Sequence, residues 1–181
     1  MFSAMKRILF CTVLFLSSVL ALAQVFPVEF MRECASVSVD DKDYTVFAYK
    51  DDDGTVGMYL GLSEPDWVSG APFFLNKITV TCIYLGTTRA EALDALDGLL
   101  ALLEEDPGAS LEFPARIGVG WKFAESGTAT ATVQKRLFGK RLRFFYTNDE
   151  LSTETFVSRS TVKSLRFSLN ANMKFQSEEP F

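Results

Sequence analysis

The chain has 181 residues and no histidine, which removes the usual general base, the Ser-His-Asp and Cys-His catalytic arrangements, and the commonest metal ligand. Its 23 acidic and 18 basic side chains leave a net charge of −5, a poor match to nucleic acid. The charge is divided along the chain: residues 24–106 hold 5 basic and 16 acidic side chains (net −11), and residues 107–181 hold 11 and 7 (net +4), so the two halves are expected to neutralise each other in one sheet.

Residues 1–23 read as a secretory signal peptide. Lys6 and Arg7 precede an apolar run from Ile8 to Leu16, and Ala21-Leu22-Ala23 supplies the small-residue cleavage site before Gln24. The expected location is therefore the periplasm, the cell surface or the medium. Residues 24–181 carry no Pro-, Gly- or Ser-rich linker and are read as a single β-rich domain with one helix. Cys34 and Cys82 are the two cysteines left after cleavage. In an oxidising compartment they are expected to form a disulfide, which would stabilise by about 4 kcal/mol in the chain-entropy treatment.

Cys34 to Val39 is a first short strand, and Asp40-Asp41-Lys42-Asp43 a turn. Tyr44 to Lys50 and Thr55 to Leu62 form a hairpin through Asp51-Asp52-Asp53-Gly54. The two acidic turns suggest calcium, but the strand between them holds them roughly 23 Å apart, and Asp51-Asp52-Asp53-Gly54 lacks the spaced ligands of an EF-hand. They are read as solvated turns, and no metal or cofactor is expected. Ser63 to Pro72, with Trp67, is a loop, and Phe73 to Leu85 is the next strand.

Thr88 to Asp106 is the one long segment with a helical period. Thr88 and Glu91 fit a capping box, and Pro107-Gly108 ends the pattern. Ala92, Leu93, Leu96, Leu99, Leu100 and Leu103 fall on one arc, broadened by Ala95 and Leu102 and opposite the acidic residues, so this face should pack on a sheet. Glu104, Glu105 and Asp106 crowd the C-terminus, where the helix dipole disfavours each by about 0.3–1 kcal/mol. A basic group is expected nearby, and the segment Lys135 to Arg143 is the candidate.

Leu111 to Phe123 and Thr128 to Leu137 alternate as strands. Gly139 turns the chain into Lys140 to Tyr146, and a short run covers Thr153 to Ser158. From Ser164 to Phe175, Leu165, Phe167, Leu169, Ala171, Met173 and Phe175 alternate with polar residues, which predicts a strand of about 40 Å. The whole reads as α+β: a mostly antiparallel, curved sheet or open barrel of about 8–9 strands, packed against one central amphipathic helix (about 88–106).

The chemistry-bearing patterns are few. Ser160-Thr161-Val162-Lys163 matches Ser-x-x-Lys, but that motif works at a helix start, and here it falls where strand alternation begins. No pair of carboxylates is singled out by spacing. Lys135, Arg136, Lys140, Arg141 and Arg143 stand within nine residues, interleaved with Phe138, Phe144 and Phe145 in an otherwise acidic protein. Such a cluster suits an anionic partner; the plainer role is to keep an exposed edge hairpin from pairing with other chains. The function expected is an exported, non-enzymatic binding module of the cell envelope that recognises an anionic component, a protein partner or an apolar ligand. Peripheral membrane contact is compatible with it. An outer-membrane β-barrel and a carboxylate-based hydrolase are the alternatives.

Overall fold

A computed structural model describes residues 31–39, 42–50, 54–65, 78–119, 122–147 and 152–172. Residues 1–30, where a signal segment is expected, Asp40, Asp41, Asp51 to Asp53, Trp67 and the tail lie outside the described residues. The strands are β1 (Met31–Val39), β2 (Lys42–Lys50), β3 (Val56–Pro65), β4 (Ile78–Gly86), β5 (Ser110–Val119), β6 (Lys122–Arg136), β7 (Gly139–Thr147) and β8 (Ser152–Ser158). Helix α1 (Arg89–Leu102) follows β4, and helix α2 (Arg159–Ala171) follows β8. Each strand pairs antiparallel with the next in one sheet ordered β1 to β8, as short connections require.

The sheet is open and strongly curled. Thr81 on β4 and Thr153 on β8 share a buried hydroxyl–hydroxyl bond of 2.6 Å. On a flat sheet those strands would lie about 19 Å apart. The Tyr44 hydroxyl of β2 donates to the Phe156 carbonyl of β8 at 3.3 Å, so the two ends of the sheet approach each other. The helices lie on the concave side, where Val46, Leu60, Ile83, Leu96, Leu99, Leu142, Leu165 and Leu169 form one fully buried core.

Helix α1 begins as its sequence dictates. The Thr88 hydroxyl accepts from the Glu91 N–H at 3.2 Å, and the Glu91 carboxylate accepts from the N–H groups of Thr87 and Thr88 at 2.6 and 3.3 Å. Those donors, Thr87 first, hold the Glu91 carboxyl below its ordinary value. Gly86 (φ 135°) makes room for this turn, because a Cβ there would collide with the Glu91 side chain. The helix stops at Leu102, short of the expected Asp106, with Leu103 as its C-cap.

Three expectations are corrected here. The segment from Ser164, expected as a strand, is instead part of α2, so the sheet carries two helices and not one. Ser158 caps it by accepting from the Thr161 N–H at 3.1 Å. Thr161, Val162, Leu165 and Leu169 are buried at helical spacing, whereas Phe167 is 73% exposed. The alternation misleads because Leu165 and Leu169 satisfy both a two-residue period and a helix. From Ser164 to Ala171 there is no β-branched residue to favour a strand.

Secondly, Leu111 to Phe123 is not one strand. β5 ends at Val119, which pairs with Lys122 at the start of β6. Thirdly, the expected Cys34–Cys82 disulfide is not formed in this structure, where both cysteines are buried. Cys34, at the bulge of β1, belongs to the concave core, while Cys82 packs with Phe47 and Tyr59 in a separate cluster. Strands β2 and β3 stand between them in the sheet, and the two side chains belong to different clusters.

The helices run antiparallel and are joined by charge. Arg89 donates to the carbonyls of Leu169, at 3.2 Å, and of Asn170, closing the C-terminus of α2. Arg166 grips Asp97 with two donors, Nη2 to Oδ2 at 2.8 Å, and Arg159 pairs with Glu104. The acidic first half thus meets the basic second half helix against helix, not only strand against strand.

Candidate functional site: a cationic hairpin with an apolar tip

The β6–β7 hairpin is built on alternation. Ala129, Ala131, Val133, Leu142, Phe144 and Tyr146 are its buried face. A period of two then sends Lys135 and Lys140, which pair in register, to that concave side, and Arg136, Arg141 and Arg143 to the convex side. The five expected site residues are therefore together on one hairpin but split by face, lysines within and arginines outside. Phe144, one of the interleaved phenylalanines, is core and plays no part at the surface.

The cations differ in what they already hold. Lys140 donates to the Glu104 and Glu105 carbonyls at 3.0 and 2.6 Å, capping the C-terminus of α1. Arg143 pairs with Glu154 of β8 at 2.7 Å and lies 5.0 Å from the Phe145 ring. The hydrogen bond between them is the first cause that lowers the Glu154 carboxyl and raises the Arg143 guanidinium. The Arg136 guanidinium stacks 4.2 Å from the Phe156 ring of β8. Lys135 and Arg141 are exposed and have no ion pair or side-chain hydrogen bond among the described residues.

The hairpin is not a sheet edge, which overturns the edge-protection role. β6 is paired on its other side with β5 and β7 with β8; β1 and β8 are the outermost strands. Only the hairpin's end stands clear, past the last rungs Ser110↔Thr132 and Ser158↔Arg141. At that end Leu137 and Phe138 are 90% and 94% exposed. Gly139 takes the left-handed conformation (φ 106°), so the turn can seat two bulky residues ahead of it. Arg136, Leu137, Phe138, Arg141 and Phe156 line an open concavity of about 520 Å³.

Phe156, Glu154 and Leu137 belong to this surface but are not among the site residues expected from the sequence. Phe156 and Glu154 come from β8 and reach the hairpin only through strand pairing. Leu137 carried a usable signal, since a turn immediately before Gly139 must leave it exposed.

Ser160-Thr161-Val162-Lys163 lies in the first turn of α2, so the strand setting expected for it is corrected. The helix start alone does not assemble a nucleophile. Ser160 and Lys163 are both exposed, and the Ser160 hydroxyl bonds that of Ser158 at 2.7 Å. Among the described residues no group of three or more acidic or cysteine side chains could hold a metal ion. Compared with protein-family models, with curated proteins and with solved structures, the chain matches none.

Proposed function

We propose that the protein is a non-enzymatic binding module of the cell envelope that recognises an anionic component through the exposed end of the β6–β7 hairpin. The observation that carries this reading is the pairing state of the cations. Arg141 and Lys135 are uncommitted among the described residues, and Arg136 is held by Phe156 beside an open concavity, so three of five cations are presented rather than spent. Planar guanidinium groups suit phosphate and carboxylate, and a preoriented one loses less entropy on binding. A membrane-spanning barrel is less well supported, because such barrels close their sheet and this one is open with helices packed on its concave side.

The test is titration of the purified protein with inorganic polyphosphate, a phosphate polymer with no apolar surface. Binding should weaken steeply with salt, and the double variant R136S/R141S should lose most of it. Binding that ignores salt and survives that variant would refute the reading.

A further inference from the structure

The tip itself calls for an account beyond charge. Turns are normally built from Gly, Asn, Asp, Pro and Ser, and here Leu137 and Phe138 stand almost wholly in solvent at the most protruding point of the hairpin. Neither side chain supports the fold. Cations flank them on both sides: Lys135 on one face of the hairpin and Arg136 and Arg141 on the other, each within three residues of the tip. At about 3.3 Å per residue along a strand, the cations sit a few ångströms behind the two apolar residues.

We propose that Leu137 and Phe138 insert into the interfacial layer of an anionic lipid bilayer while Lys135, Arg136 and Arg141 pair with lipid phosphates. This rests on the hairpin being the recognition surface and names its partner. The dimensions agree, since interfacial anchors bury apolar groups about 5–10 Å into the boundary between headgroups and acyl chains and leave cations at phosphate level. A protein partner fits less well: two side chains offer far less than the roughly 800 Å² that each side of a stable interface buries. Of the carboxylates near this end, two already have partners of their own, although the Glu154 charge also acts on Arg136. Glu154 is paired with Arg143 and Glu104 with Arg159, while Lys140 sits over the carbonyls of Glu104 and Glu105.

Flotation with vesicles of phosphatidylglycerol and phosphatidylcholine, set beside vesicles of phosphatidylcholine alone and beside the polyphosphate titration, separates the two claims. The protein should float with the anionic vesicles and not with the neutral ones. L137S/F138S should weaken vesicle binding about tenfold or more and leave polyphosphate binding unchanged. Because the two side chains are almost wholly exposed, its thermal unfolding should match that of the parent. R136S/R141S should weaken both, and for vesicles the loss is on the order of 25-fold, at about 1 kcal/mol per cation near an anionic surface. Unchanged vesicle binding by L137S/F138S overturns insertion and leaves hairpin recognition standing. Binding of polyphosphate without vesicles also overturns it, and points to a polymer or an acidic protein. Failure to bind either one removes both the inference and the reading beneath it.

Discussion

Replacing Leu165 and Phe167 separately by Ala distinguishes helix α2 from the strand that its alternating sequence suggests. In a strand the two side chains would share a face and a fate. In α2 Leu165 is fully buried against the sheet, whereas Phe167 is 73% exposed. Leu165→Ala removes a buried isobutyl group and leaves a cavity, so it should cost about 3 kcal/mol. Phe167→Ala should stay within about 0.5 kcal/mol, the range of ordinary surface changes, although it deletes the larger side chain. Ser158→Ala removes the hydroxyl that accepts from Thr161 and should cost about 1 kcal/mol, a penalty with no counterpart in a strand. Guanidinium unfolding of the three variants, with slopes compared to confirm two-state behaviour, reads these directly. A loss for Phe167→Ala equal to that for Leu165→Ala would refute the helical assignment.

Lys140→Ala should destabilise by about 1 kcal/mol, because it bares the α1 C-terminus next to three acidic residues, while Arg141→Ala changes stability by less than about 0.5 kcal/mol; calorimetry compares them. Asp97 is held below its ordinary 3.8 by Arg166, and Glu91 and Glu154 below 4.5 by Thr87 and Arg143 respectively. Depressed carboxylates contribute stability fully above their unfolded values and lose it as pH falls through the folded ones. The melting temperature should therefore decline below about pH 4.5, and more shallowly in Asp97→Asn; identical acid limbs would contradict the Arg166 contact. Burial pushes the Cys34 thiol up to about 11, and the Cys82 side chain is shielded from reagents by its own burial, so neither should react with a thiol reagent at about pH 8 until the protein unfolds. A reductant-dependent mass shift of about 2 Da would show that the two cysteines are bonded after all.

Local signals were legible where one element decides its own structure. Thr88 and Glu91 announce the start of α1, and Gly54 and Gly139 mark turns that the backbone makes with positive φ. The curved antiparallel sheet was readable from the short connections. What escaped reading depends on partners distant in sequence. α2 is a helix because Val162, Leu165 and Leu169 meet β1, β2 and α1, and the exposed Phe167 supplies the apolar residue that completes a false strand pattern. The two cysteines enter separate clusters, which their count alone does not reveal. At the candidate site the cations were visible, but their division between faces and their commitments to Glu154, Phe156 and the carbonyls of the turn after α1 arise only from the sheet register.

Hydrogen exchange of the protein with and without polyphosphate tests most directly where recognition occurs. Protection should concentrate on residues 135–143 and at Phe156 of β8. Protection centred on the aromatic cluster of Phe47, Tyr59 and Tyr84, or on the helices with the hairpin unchanged, would contradict the account.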